Sequence, residues 1–219
     1  GDWERLGKPA LIYACPACGK HLKEYLPEIE TVSLYEILEQ WGFEAEAQKE
    51  GKASAGANPG GGAEPESDAE PESDAENRDI AIKDVVFSVF DPCTARHVEP
   101  LEEAVRSLAK QAGAALEELP KGDKHGCCGY GGHVSEANAD YAAYVAKSRS
   151  GLSENPYIAY CINCRDIFKG EGKPALHILD LLFDINGLAN RLPNLTERRR
   201  NRVSLKETLL KEIWGETME

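Results

Sequence analysis

A chain of 219 residues with 42% hydrophobic side chains is long enough for one large domain or two small ones with a packed core. Seven of the acids behind its formal charge of −13 sit in one short segment, Glu64 to Glu76, and the rest is only mildly acidic; the lack of a basic face able to neutralise several phosphates argues against nucleic-acid binding, and no run of about eighteen apolar residues offers a membrane span. Seven cysteines is an odd count for a disulfide framework, and the Gly1-Asp-Trp3 start has no charged-then-apolar leader, so a reducing, cytoplasmic setting is expected, where clustered thiols bind metal or do redox chemistry.

In chain order, Pro9 to Ala14 reads as a strand running into Cys15-Pro-Ala-Cys18. A helix is predicted from Ser33 to about Trp41, with Ser33 as N-cap, Glu36 completing a capping box and Gly42 as the stop. From Glu44 to Asp79 there is no Val, Ile, Leu, Met, Phe, Trp or Tyr, and the unit Ala63-Glu-Pro-Glu-Ser-Asp68 repeats as 69–74. Such a stretch buries too little apolar area to offset ordering entropy, so a disordered acidic linker is expected.

Asp84-Val-Val-Phe-Ser-Val-Phe90 has a buried-strand pattern ending at Asp91-Pro92-Cys93. Val98, Leu101, Val105 and Leu108 then share one helical face, with Pro100, Glu102 and Glu103 suited to its first turn. Ala114 to Leu119 suggests a short strand, and His125-Gly-Cys-Cys-Gly-Tyr-Gly-Gly132 follows. One helix is predicted to carry Val134, Ala137, Tyr141, Tyr144 and Val145. Tyr157 to Tyr160 is a strand entering Cys161-Ile-Asn-Cys164, another strand lies near Ala175, a helix spans about His177 to Asn186, and an amphipathic helix runs from about Thr196 to Trp214. Strands alternating with helices predict an α/β fold with mostly parallel sheets and flanking helices.

The two CxxC regions look like an internal repeat. Each follows an apolar strand, each has a lysine eight residues after its first cysteine (Lys23 and Lys169), and each leads to a similar helix start, Ser33-Leu-Tyr-Glu-Ile-Leu38 and His177-Ile-Leu-Asp-Leu-Leu182. The expected organisation is a pseudo-twofold repeat with a truncated first half: a remnant over 1–43, the linker over 44–79, a complete domain over 80–190 and a C-terminal helix over 191–219.

In the second half, 33 residues separate Cys93 from Cys127, Cys128 is adjacent, and 32 residues separate it from Cys161 of the CxxC. A CxxC turn lets two thiolates converge, while adjacent cysteines diverge and suit a broader, multi-iron body. Gly126, Gly129, Gly131 and Gly132 let the backbone approach and donate N–H groups to sulfur. Five thiolates exceed the four of a closed zinc site, although four of them would serve zinc, and a metal-free dithiol chemistry also stays open. Cys15-Pro-Ala-Cys18 can be read as a thioredoxin-type redox pair or as a partial second metal site.

The pattern Cys93, Cys127-Cys128-Gly129, Cys161-Ile-Asn-Cys164 resembles the CCG domain of heterodisulfide reductase catalytic subunits and of related lactate-utilisation, glycerol-dehydrogenase and quinone-reductase subunits, over Val85 to Leu182. The phrases Asp91-Pro-Cys-Thr-Ala-Arg-His97 and His125 to Gly132 are similar to the C-terminal part of pyridine-nucleotide-disulfide-oxidoreductase-like proteins. The resemblance implies a non-cubane 4Fe–4S cluster bound by Cys93, Cys127, Cys128, Cys161 and Cys164, within an electron-transferring part of a disulfide-reductase-type oxidoreductase. A flavoprotein or ferredoxin-like partner, or other domains of the same polypeptide, would supply its electrons, and activity by this chain alone is not expected. The rival is a zinc-stabilised interaction module without redox activity. Near the ligands, His97 and His125 are candidates to tune sulfur, Tyr130 and Tyr160 to shield it or pack in the core, and Arg96 and Lys124 to attract an anionic thiol or partner.

Overall fold

The structure, a computed structural model, describes residues 2–42, 85–96, 98–120, 125–131, 134–183, 185, 188, 192–193, 195–213 and 215. The linker expected over 44–79 lies outside them, as do His97, Lys124, Gly132 and His133. The chain divides into two compact units, 1–189 and 190–219. No helix among the described residues is long and apolar enough to cross a membrane.

The first unit is α/β, and every described strand pairing in it is parallel. After a single turn, α1 (Asp2–Arg5), come β1 (Leu11–Tyr13), α2 (Pro16–Tyr25), β2 (Thr31–Ser33) and α3 (Leu34–Trp41), with β1 and β2 forming a two-stranded sheet. A second sheet has β3 (Val86–Pro92) at its centre. β3 is flanked by β4 (Ala115–Leu116) and by β6 (Tyr157–Ala159), which pairs with β7 (Ala175–His177), and its far end pairs with β5 (His125–Gly126). A 3₁₀ turn (Cys93–Ala95) joins β3 to α4 (Glu99–Gln111), and α5 (Val134–Ala137), α6 (Ala139–Ser150), α7 (Ile162–Gly170) and α8 (Ile178–Leu182) complete the unit.

Alternation along the strands sends side chains to two cores. Phe87 and Val89 of β3, with Ile158 of β6 and its neighbour Tyr160, pack under α4 together with Tyr35 of α3. The first segment and the CxxC-containing second half therefore share one core, and Ser107 of α4 also bonds Glu39 of α3 at 3.2 Å. On the opposite face Phe90, Tyr157 and Phe168 meet in edge and stacked contacts, with ring centroids 4.6 to 6.0 Å apart. Cys128, Cys161 and Cys164 belong to that second core.

The two strand–CxxC–helix–strand–helix segments have the same order and matching register. Tyr13, two residues before Cys15, pairs with Ser33, and Ala159, two residues before Cys161, pairs with His177. In both, the first cysteine is the N-cap of the helix that follows. Ser33 caps α3 by accepting from the Tyr35 N–H at 3.2 Å. The reciprocal capping box sits instead at the start of α8: the His177 N–H donates to Asp180 at 2.9 Å while His177 Nδ1 accepts from the Leu179 N–H at 3.3 Å. Elsewhere the elements depart from the expected pattern. Asn138, whose side chain accepts from the Tyr141 N–H at 2.9 Å, breaks the predicted single helix into α5 and α6, and Tyr141 and Tyr144 are exposed. In the second unit α9 (Leu195–Glu212) is a helix but not an amphipathic one: its Val203 and Leu205 are exposed among charged residues.

One polar network ties the strand ends together. Asp91, with no solvent exposure, receives Arg106 Nη1 and Nη2 at 3.0 and 2.7 Å and the Tyr160 hydroxyl at 2.7 Å. Arg106 also grips Glu118 at 2.7 and 2.8 Å. A forked guanidinium suits two carboxylates, and removing it strands a charge where water cannot reach. Arg106→Ala is expected to lower the unfolding free energy by about 3–5 kcal/mol in denaturant titrations, and a loss below about 1 kcal/mol would show that Asp91 finds other partners.

Candidate metal centre

Cys93, Cys127 with Cys128, and Cys161 follow the C-terminal ends of parallel strands, and Cys164 sits in the first turn of α7 at the same edge, where open α/β sheets place their sites. β3 pairs Asp91 with His125 and Pro92 with Gly126, so Cys93 and Cys127 are the next residues on each chain. It also pairs Phe90 with Ala159, which brings Cys161 to the same edge.

Three thiols are buried together: Cys128, Cys161 and Cys164. Cys164 Sγ lies 3.3 Å from Cys128 Sγ and also hydrogen-bonds Cys161. Cys93 and Cys127 are exposed at the rim, and Cys93 feels the charges of Cys127, Cys128 and Cys161. Cys127 Sγ accepts from the Gly129 N–H at 3.3 Å, as expected of a sulfur beside a glycine-rich turn. The first pair reaches the same region. Cys15 and Cys18 hydrogen-bond each other, and Cys161 acts electrostatically on Cys18. Among the described residues, no three His, Cys, Asp or Glu side chains close into a single-ion site.

The electrostatics follow from crowding. Hydrogen bonding from Cys164 is the main cause that lowers Cys161 from 9.0 to about 6, helped by the backbone N–H groups of Asn163 and Cys164 at the start of α7. The same thiol lowers Cys128, and Cys164 itself is pushed well above its ordinary value by serving both neighbours. Burial, then the neighbouring sulfurs, raises Cys93, with Arg96 acting in the opposite direction. Concentrated soft donors that oppose one another's ionisation are a donor set that a thiophilic cation or cluster would relieve, so the residues fit such a group.

Gly129 shows why the loop needs glycine. Its φ is +93°, and a Cβ there would lie 2.8 Å from the Ala142 carbonyl oxygen of α6. Gly131 meets nothing within 4 Å, so close approach does not require glycine at that position. In the first segment a Cβ on Gly19 would lie 2.4 Å from the Tyr13 ring, which seats α2 on β1.

Residues 87–168 match the family model of the cysteine-rich CCG domain. This part of the chain is a CCG domain. No curated protein matches the chain. The CCG span contains Cys93, Cys127, Cys128, Cys161 and Cys164, and Cys15 and Cys18 lie outside it.

Some contributors were not evident beforehand. Tyr160 is core, as one of its two readings held, but its hydroxyl also joins Asp91 to the strand that carries Cys161, whereas Tyr130 is exposed. Tyr35 is fully buried, meets Tyr160 edge-on at 6.2 Å, and its hydroxyl has no hydrogen-bond partner among the described residues. Burial first, then the charges of Cys15 and Cys161, raises its pKa, so the phenol lies within electrostatic reach of one cysteine from each CxxC. A tyrosine two residues after the Ser33 N-cap, where the His177 N-cap has Leu179 at the same offset, was the only hint.

Two outcomes are expected of the metal-free CCG domain. Gly129→Ala should cost about 1–3 kcal/mol in denaturant titrations, and unchanged stability would show that the loop can shift away from α6. The ultraviolet thiolate band removed by Cys161→Ser should titrate near pH 6. Since folding favours its ionised form, its contribution to stability is full above about pH 9 and lost as pH falls through about 6. A midpoint near 9 would contradict the geometry around Cys164.

Proposed function

We propose that the chain is the iron–sulfur electron-transfer module of a heterodisulfide-reductase-type oxidoreductase, with Cys93, Cys127, Cys128, Cys161 and Cys164 holding a non-cubane 4Fe–4S cluster. The observation that carries this is the gathering, at one sheet edge, of thiols from Cys93 to Cys164, with Cys164 hydrogen-bonded to both Cys128 and Cys161 and the rim thiol Cys93 in electrostatic range of Cys127, Cys128 and Cys161. Five sulfurs, two of them adjacent, suit a multi-iron body better than one ion.

Such a cluster supplies uptake and release of single electrons. The protein contributes the surroundings. Cys161 and Cys128 are poised to give up their protons, and the N–H groups opening α7 face the Cys161 sulfur. Phe90, Tyr157 and Phe168 exclude water from the buried side, leaving Cys93 and Cys127 toward solvent, where an acceptor can approach. The acceptor is a disulfide or a similar group, and the donor is a flavoprotein, a ferredoxin-like protein or another domain of the same polypeptide. Cys15 and Cys18 stand as a partial second site beside the first.

Purification without oxygen tests the reading. About four irons with matching acid-labile sulfide and a paramagnetic resonance signal are expected, together with loss of iron on substituting serine for Cys128 or Cys161. Stoichiometric zinc in a colourless protein would instead support the interaction-module alternative.

A further inference from the structure

Of the three described tyrosines with no solvent exposure, two use their hydroxyls: Tyr157 donates to the Arg149 carbonyl at 2.9 Å and Tyr160 to Asp91 at 2.7 Å. Tyr35 does not. Its hydroxyl oxygen is buried and has no hydrogen-bond partner among the described residues. Such a group is uncommon and destabilising, and phenylalanine would fill the same space without that cost. Its position sets it apart. Parallel pairing of Tyr13 with Ser33 puts Cys15 and Tyr35 each two residues further along, past the same ends of β1 and β2. The ring packs in one core with Ala14, the residue before Cys15, and with Tyr160, the residue before Cys161, meeting Tyr160 edge-on with centroids 6.2 Å apart. The charges of Cys15 and Cys161 are both felt at the phenol.

We infer that the Tyr35 hydroxyl is a hydrogen-bond donor held for the Cys161 sulfur once that sulfur binds a thiophilic metal, which rests on reading the CCG-domain cysteines as ligands but not on which metal they hold. Burial, then the charges of the two cysteines, favours the protonated phenol, so it acts as a donor and not as an anionic ligand. A neutral thiol is a weak acceptor and gives the hydroxyl little to gain. A metal-bound thiolate is a strong one, and a charge-assisted hydrogen bond there stabilises the bound form alone. The Asn163 and Cys164 N–H groups serve the same sulfur from the start of α7. Cys161 is the acceptor in preference to Cys15 because it belongs to the buried thiol group, hydrogen-bonded to Cys164, which in turn contacts Cys128. Tyr35 thus brings the first segment, which lies outside the CCG span, into the support of the ligands.

The test uses the full chain, reduced and metal-free, with Cd²⁺ as the probe and a competing chelator to read its affinity from the cadmium–thiolate absorption. Tyr35→Phe is expected to weaken Cd²⁺ binding about tenfold, the loss of one hydrogen bond to a charged group, while the metal-free chain unfolds at the same or a higher denaturant concentration. The contrast should persist in a Cys15→Ser/Cys18→Ser background, where five of the seven cysteines remain. Substituting exposed Tyr141 by Phe should change neither reading. In tyrosine Raman spectra, the wild-type minus Tyr35→Phe difference should move toward the strong-donor pattern when Cd²⁺ is added. Equal affinities, a metal-free chain destabilised as much as binding is weakened, or an effect that vanishes without Cys15 and Cys18 overturns the inference. So does an unchanged Raman difference, or a wild-type chain that binds no Cd²⁺. Iron and sulfide are measured separately on oxygen-free material. A zinc protein whose Cd²⁺ affinity depends on Tyr35 therefore loses the cluster and keeps the tyrosine, and an iron protein with equal affinities does the reverse.

Discussion

The carboxylate of Asp91 ends the central strand with no access to water, two residues before Cys93, and its charge has to be answered from within the protein. Arg106 answers it from α4 with two nitrogens, and the Tyr160 hydroxyl answers it from the end of β6, one residue before Cys161. A buried ion pair adds little net stability compared with apolar packing, yet it is intolerant of alternatives, because either charge left alone is far worse. Here that intolerance fixes which helix lies over the sheet and how far β3 and β6 extend before their cysteines begin. Glu118 on the outer side of the guanidinium keeps Arg106 from swinging away.

Beyond that clamp the thiols depend on one another. Parallel pairing delivers every strand's C-terminal end to one edge, so cysteines from remote parts of the sequence meet without long loops. Their closeness opposes full ionisation. The compromise is that Cys164 holds its proton more tightly while Cys128 and Cys161 release theirs more readily, in a pocket backed by aromatic rings. A centre of positive charge would remove the need for it. The CCG domain is thus arranged so that the protein is electrostatically uneasy where its thiols meet.

Much of this was legible in the residues. Apolar strands before each CxxC, parallel α/β layers and the cap at Ser33 follow from period and local chemistry, and the Cys-Cys-Gly pattern marked the domain that the family model matches. The helices starting at Pro16 and Ile162 were not foreseen: Pro16–Tyr25 is mostly polar with Gly19 inside it, so its helicity is imposed by packing on Tyr13 rather than by its own pattern. Asn138 looked like one more polar residue in a helical stretch, and only its cap geometry shows the break. The spacing of Leu101, Val105 and Leu108 located the buried face of α4, but Arg106 gains its role from a partner fifteen positions earlier, which no local window reveals.

The core shared by Tyr35 and Tyr160 bears on how the polypeptide can be divided. The first 42 residues and the chain from Val85 onward each leave an apolar face open without the other, since Tyr35, Ala14 and Leu38 pack against side chains of α4 and the main sheet. Burial of that face, rather than continuity of the backbone between Gly42 and Val85, is what joins them. A protein cleaved between those two points should still migrate in gel filtration as one particle, and the same two pieces expressed as separate polypeptides should find each other.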